Sequence, residues 1–171
     1  ADRALSRTIK TAKDLGSKER HQLSDLIYGL VRNRRKVQYR LTKGLKACGK
    51  KIDLFDEPLR LRMEIMVQLL EQGHPLEALR KWDAYAFKRV PKLFEKISRS
   101  KAPIKDFAIR LSLPAWMSNR LCEAHGDEVV EGWAEALLKR APLTIRVNKS
   151  KMNRAEMLDR LQAKYEIECK A

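Results

Sequence analysis

Apolar side chains recur every three or four positions through most of the first 141 residues, which is the period of an amphipathic α-helix. The phase set after Ser17 continues to Cys48. Periodicity therefore predicts either one long helix to about Lys46 or two helices that meet near Asn33-Arg34. Further helices are predicted over residues 3–13 and 56–72, around Leu76 to Ala86, from Pro91 through Ile97, and over residues 112–126 and 127–138.

The helix from Asp56 to Gln72 is apolar around most of its circumference, which predicts a place at the centre of a helical bundle. Asp56 is a favourable N-cap, and an early Pro58 is tolerated because the first turn leaves its missing N–H without a partner. A polar residue at Met66 or Leu70 should unfold the domain. The polar positions form one narrow strip of Arg60, Glu64, Gln68 and Glu71.

The tryptophans at 82, 116 and 133 fall in or near apolar stripes, so we predict that they belong to the core. Ser17 and Ser112 are predicted to cap the helices that follow them.

The period changes at Pro142, because a proline disfavours helix in the residue before it. Leu143, Ile145 and Val147 alternate with polar residues, as in a half-buried strand. A helix capped by Asn153 and Glu156 follows, and a second alternation runs from Tyr165 to Cys169. The fold class is thus mainly α, ending in a short β-α-β segment that is expected to need a larger domain to complete its sheet.

We divide the chain into three parts. Residues 1–100 form a helical domain, residues 101–141 a helical connector, and residues 142–171 the start of a small α/β subdomain. The boundary near residue 100 rests on the weakly apolar run Ser98-Arg99-Ser100-Lys101-Ala102-Pro103.

Positive charge is concentrated in the first third of the chain. The formal net charge is +15, and residues 1–51 hold 15 Lys and Arg against 4 Asp and Glu. Such an uneven distribution is typical of a protein that meets a polyanion, and nucleic acid is the first candidate.

Within this third, cations recur every three or four residues and form a stripe on one helix face. No acidic residue lies between Asp25 and Asp53, so ion pairs within the helix do not account for it. The alternative is an ordinary solvated face. Tyr28 and Tyr39 flank the stripe, where aromatic rings can stack on bases, although Tyr28 is expected to pack at the edge of the core. The predicted RNA-binding residues are Arg32, Arg34, Arg35, Lys36, Arg40, Lys43, Lys46, Lys50 and Lys51, with Arg146 and Lys151 near the C-terminus.

The sequence holds no catalytic, cofactor or metal motif. Its seven glycines never form a G-x-G pair, and its three cysteines and three histidines are scattered. Cys122 and His125 share one predicted helix, where a structural role is expected. There is no secretory signal and no apolar run of about 18 residues, so a reducing cytoplasmic location without a membrane span is expected.

Several runs resemble a known family. Leu15-Gly16-Ser17-Lys18-Glu19-Arg20 and Leu26 to Arg35 resemble the NusB-like N-terminal domain of the Sun (Fmu, RsmB-type) RNA cytosine-5 methyltransferases. Leu111 to Trp116, Gly126-Asp127-Glu128 and Pro142-Leu143-Thr144-Ile145-Arg146-Val147-Asn148 resemble the segment that precedes the catalytic domain in those enzymes. The last run is the most specific.

The resemblance implies a NusB-like bundle that binds ribosomal RNA, a small RNA-recognition-like subdomain, and a Rossmann-type domain that uses S-adenosylmethionine. The family's catalytic cysteines lie in Pro-Cys and Thr-Cys-Ser motifs. Cys48, Cys122 and Cys169 match neither motif, so we expect this chain to be inactive and to hold no cofactor. The chain is expected to be an N-terminal fragment that lacks a first NusB-like helix and the catalytic domain.

Two other interpretations stay open. The chain could be a stand-alone NusB-like RNA-binding or assembly factor, or a helical protein-interaction module whose basic face is incidental. Arg146 and Lys151 are equally compatible with contacting RNA and with bracing a catalytic domain.

Overall fold

A computed structural model of the 171-residue chain describes residues 2–100, 102–139 and 144–165. It divides into two compact units, Ala1–Lys139 and Arg140–Ala171. All regular secondary structure in the described residues is helical, which confirms the mainly α class.

Ten of the helices lie in the first unit. They are α1 (Asp2–Thr11), α2 (Ser17–Arg32), α3 (Arg34–Ala47), α4 (Glu57–Glu71), α5 (Leu76–Trp82), α6 (Ala84–Arg89), α7 (Leu93–Arg99), α8 (Phe107–Arg110), α9 (Ala115–His125) and α10 (Asp127–Leu138), with a 3₁₀ turn at Ile52–Leu54. The four-residue α8 was not expected from the sequence.

Asn33 separates α2 from α3, which decides between the two alternatives left by the periodicity. Its backbone departs from helical geometry at φ −98° and ψ 11°, and its side-chain amide donates a hydrogen bond of 2.9 Å to the Gly29 carbonyl. An asparagine that bonds to local backbone in this way competes with helix continuation.

The core forms where α3 packs against α4 on one side and α7 on the other. Its most deeply buried side chains are Val37, Leu41, Leu45, Met63, Met66, Val67, Leu93 and Phe94, all 1% exposed or less. The predicted central position of the 56–72 helix agrees with this arrangement. Burying each such side chain contributes roughly 1.5–3 kcal/mol, so this contact dominates the stability of the unit.

Helix starts are set by side-chain acceptors in several places. The Asp56 carboxylate accepts from the Leu59 N–H at 3.3 Å, as predicted.

The predicted serine caps are wrong. Gly16 is the N-cap of α2, and its N–H donates to the Glu19 carboxylate at 2.6 Å. Ser112 adopts a left-handed φ of 57° outside α9, because it closes the turn after α8.

The prediction that the three tryptophans belong to the core is also wrong. Trp82 is 61% exposed, Trp116 66% and Trp133 47%. Helical spacing placed them near apolar neighbours, but burial depends on whether another element covers that face. Small and β-branched residues such as Ala86, Val130 and Ala134 take the inward positions instead.

The second unit is described from residue 144 to 165. α11 (Arg154–Tyr165) begins with the predicted capping box, in which the Glu156 N–H donates to Asn153 Oδ1 at 2.9 Å and the Asn153 N–H donates to Glu156 Oε2 at 3.1 Å. Residues 144–148, predicted as a strand, have no regular secondary structure. Alternation alone does not make a strand, which needs hydrogen bonds to a neighbour. Apart from Tyr165, the second predicted strand lies outside the described residues.

Candidate nucleic-acid interface

The predicted cationic stripe does not form one uniform surface. Part of it is held inside the first unit by α4 and by the turn after α8, and the remainder is exposed. Arg35 belongs to the held part, because its backbone N–H donates to the Ser112 hydroxyl at 3.2 Å and its guanidinium donates to the Leu113 carbonyl. Arg35 therefore connects α3 to the turn between α8 and α9.

Lys36 and Arg40 also face inward, toward the polar strip of α4. Lys36 Nζ lies 2.8 Å and Arg40 Nε 3.3 Å from the two carboxylate oxygens of Glu71. Arg40 also donates to the carbonyls of Ser100 and Ala102, at 3.1 and 2.9 Å. With its side chain 11% exposed, Arg40 ties together α3, α4 and the chain that leaves α7.

A second carboxylate of the same strip, Glu64, is 6% exposed. It accepts a hydrogen bond of 2.9 Å from Gln38 and lies 4.0 Å from Arg34 Nε. The acids that balance these cations thus come from α4, more than twenty residues away. The local sequence does not predict these ion pairs, because helix periodicity does not show which helix faces contact each other.

The exposed remainder runs along the C-terminal half of α3 and into the following loop. Four exposed lysines lie here, Lys43, Lys46, Lys50 and Lys51, and their side chains make no hydrogen bond or ion pair with any residue that the structure describes. The Lys43 ammonium lies 5.8 Å from the centre of the half-buried Tyr39 ring. At the other end of the stripe, the Arg32 guanidinium lies 5.8 Å from the Tyr28 ring centre.

A further cation, missed from the sequence, joins this surface from α7. Lys96 Nζ donates to the carbonyl of Ala47 at the end of α3. Cations favour this position because the last carbonyls of a helix carry partial negative charge. Only the antiparallel approach of α7 brings Lys96 beside the α3 lysines, so its sequence position gave no signal. We call Lys43, Lys46, Lys50, Lys51 and Lys96 the lysine surface.

Arg146 and Lys151, the remaining predicted residues, lie in the second unit and are both exposed. Between them the Asn148 carboxamide oxygen accepts from the Ser150 N–H at 3.1 Å and from its hydroxyl at 2.7 Å. This bonding fixes a tight turn before α11. It does not commit either cation to an intrachain partner within residues 144–165.

Cys122 does not have the environment of an activated nucleophile. Desolvation raises the pKa of its thiol, and the nearby Asp127 carboxylate, which accepts its hydrogen bond, raises that pKa further. A thiol with a raised pKa is protonated at neutral pH and reacts slowly. The His125 ring packs against Trp133, with centroids 4.8 Å apart.

Across the described ranges, no three His, Cys, Asp or Glu side chains cluster as metal ligands would. None of the helices there has the length and apolar character required to cross a bilayer.

Comparison with known proteins finds a family match over the C-terminal third of the chain. Residues 113–171 match the family model described as the ferredoxin-like domain of RsmF/B-like methyltransferases. No solved structure matches the chain.

A particular relative extends the similarity over the first unit. The chain is 24% identical over 174 residues to the Bacillus subtilis (strain 168) protein named probable ribosomal RNA small subunit methyltransferase B. The alignment covers 93% of this chain and 39% of that protein. The resemblance to the N-terminal region of a Sun-type methyltransferase is thereby confirmed.

Proposed function

We propose that this chain is the RNA-binding N-terminal part of an S-adenosylmethionine-dependent ribosomal RNA cytosine-5 methyltransferase. In this proposal it positions RNA for a catalytic domain that carries the cofactor and the reactive cysteines, in the cytoplasm. Support comes from the similarity to a methyltransferase that acts on small-subunit ribosomal RNA and from the lysine surface. The lysine surface is the observation that carries RNA binding.

The lysine surface has no acidic partner among the residues that the structure describes. Glu64 and Glu71, the acids of α4 that reach α3, are already engaged by Arg34, Lys36 and Arg40. The exposed lysines are therefore balanced by counterions from solvent and not by acids of the described chain. A nucleic-acid backbone supplies phosphates at regular spacing and gains affinity by releasing the counterions of both partners.

In this proposal the predicted residues have different tasks. Arg35, Lys36 and Arg40 hold the bundle together, and RNA contacts the lysine surface, Arg32 and the outer part of Arg34, whose side chain is 66% exposed. Arg146 and Lys151 are assigned to RNA or to bracing the catalytic domain.

The test is the salt dependence of RNA binding. Replacing Lys43, Lys46, Lys50 and Lys51 by glutamine should weaken binding to a ribosomal RNA fragment and flatten the plot of log affinity against log salt. Each lost phosphate contact lowers the slope by about 0.9 on duplex and about 0.7 on single strands. The magnitude of the slope should therefore fall by up to about 3.6 on duplex and up to about 2.8 on single strands.

The matched control removes the same charge elsewhere. Its four substitutions to glutamine are at exposed residues of α1, of the turn after it and of the start of α2, namely Arg7, Lys10, Lys13 and Lys18. If both variants lose the same slope, binding follows net charge and the lysine surface has no special role. If neither loses affinity, the chain is not an RNA-binding module.

The second candidate is a stand-alone NusB-like RNA-binding or assembly factor without enzymatic activity. The lysine surface serves this function equally well. The gene separates the two, because a downstream coding region with Pro-Cys and Thr-Cys-Ser motifs supports the methyltransferase and an immediate stop codon supports the factor.

A further inference from the structure

A small pocket lies where α4 meets the junction between α5 and α6, on elements that the lysine surface does not use. Its volume is about 370 Å³, and it is lined by Arg62, Ile65, Met66, Trp82 and Asp83. Pockets that bind small ligands begin at about 300 Å³ and combine apolar walls with a few polar groups. This pocket has that composition.

One exposed aromatic side chain, Trp82, lines the pocket, and a second, Tyr85, lies beside the pocket residue Arg62. Trp82 forms one wall and is 61% exposed, and Tyr85, three residues on, is 54% exposed. Both side chains therefore present aromatic surface to solvent, where a flat ligand can contact it.

The polar side of the pocket is held rigidly. Asp83 is 8% exposed, and its two carboxylate oxygens accept from the Ala86 N–H and from Arg62, both at 3.1 Å. Arg62 remains 55% exposed, and its guanidinium lies 6.0 Å from the Tyr85 ring centre. Asp83 thus neutralises one edge of the guanidinium and leaves the rest of this group available to a ligand.

The charge around the pocket selects the ligand class. Between positions 78 and 94, Asp83 is the only acid, and the cations are Arg80, Lys81, Lys88, Arg89 and Lys92. Arg80 pairs with Glu95 at 2.9 Å. A segment with this excess of positive charge attracts a polyanion, and an aromatic wall beside the Arg62 guanidinium suits the flat face of a base.

We propose that this pocket binds one unpaired nucleobase of single-stranded RNA, which stacks on Trp82 while the adjoining phosphate contacts Arg62 and Lys81. The inference rests on the proposed RNA-binding function and adds a base-binding site to a surface that would otherwise contact phosphate alone. A duplex does not enter the pocket, because its bases are stacked and paired.

The experiment uses two RNA probes, a short unstructured single strand and a duplex of the same sequence. Trp82→Leu keeps an apolar side chain but removes the aromatic face, and Trp82→Phe retains one. Stacking on an aromatic side chain is worth enough that W82L should bind the single strand about 5- to 100-fold more weakly. W82F should retain most of the affinity, and both variants should bind the duplex like the wild type.

Trp116→Leu is the control, because Trp116 is equally exposed but lies on α9. It should leave both affinities unchanged. In a W116F/W133F protein Trp82 is the remaining tryptophan, and the single strand should quench its fluorescence while the duplex does not.

Each outcome has one meaning. If W82L binds the single strand as tightly as the wild type, or if Trp82 is not quenched, the base-binding pocket is wrong. The proposed function still stands in that case if the four-lysine variant loses affinity. If the wild-type protein binds neither probe at low salt, the proposed function fails and the pocket proposal fails with it.

Discussion

At the scale of single residues, Gly44 shows how closely α3 and α7 approach. A Cβ at this position would lie 2.6 Å from Ile97 Cγ1 and 3.0 Å from Leu93 Cδ1. Both neighbours are buried core residues, so neither side chain can move freely. Glycine is required here for packing, since its backbone is helical.

We therefore expect Gly44→Ala to destabilise the protein. Alanine favours helix over glycine by about 1 kcal/mol, but overpacking costs about 1–3 kcal/mol, so a net loss of up to roughly 2 kcal/mol should remain. Denaturant unfolding followed by circular dichroism measures it.

Gly132→Ala is the matched control, because a Cβ there has nothing within 4 Å. It should stabilise the protein by up to about 1 kcal/mol. Equal effects of the two substitutions would mean that α7 does not pack against Gly44 as described.

At the scale of elements, the contact between α3 and α4 carries both an apolar core and a charged seam. Leu41 and Met63 are completely buried, while Glu64 and Glu71 receive the side chains of α3 at the edge of the same contact. The seam fixes the register of the two helices, because each carboxylate has its own partners.

Arg40→Gln should show how much this charged seam stabilises the protein. The change removes a charge-assisted contact to Glu71 and two hydrogen bonds to carbonyls, and we expect the free energy of unfolding to fall by about 1–3 kcal/mol. Thermal or urea unfolding provides the measurement. Lys43→Gln, at an exposed position three residues along the same helix, should change the free energy of unfolding by less than about 0.5 kcal/mol. Similar values for the two variants would contradict the structural role of Arg40.

The same seam shows what the sequence could and could not predict. Periodicity located most helices, the cap at Asp56 and the capping box at Asn153, because these features depend on neighbours within a few residues. It could not show that the polar strip of α4 faces α3, since that depends on long-range packing. For the same reason it assigned Trp82 to the core and grouped Arg40 with Lys43, although one is held inside and the other is free to bind.

At the scale of the whole molecule, the first unit has a complete core of its own. The buried apolar residues of the described chain run from Leu30 to Ala134, and all of them lie before residue 140. We expect a polypeptide of residues 1–139 to unfold in a single cooperative transition when heated and followed by circular dichroism. A gradual loss of helix without a transition would show that this unit depends on the rest of the chain.

The hydrogen bond from Arg35 to the Leu113 carbonyl affects where the boundaries of recombinant fragments should be placed. The family match begins at Leu113, whereas the compact unit continues to Lys139. A recombinant fragment that starts at Leu113 would keep α9 and α10. It would lose the Arg35 guanidinium that donates to the Leu113 carbonyl and the α8 residues that pack against α9. Expression boundaries for this protein are better placed after α10 than at the edge of the sequence family.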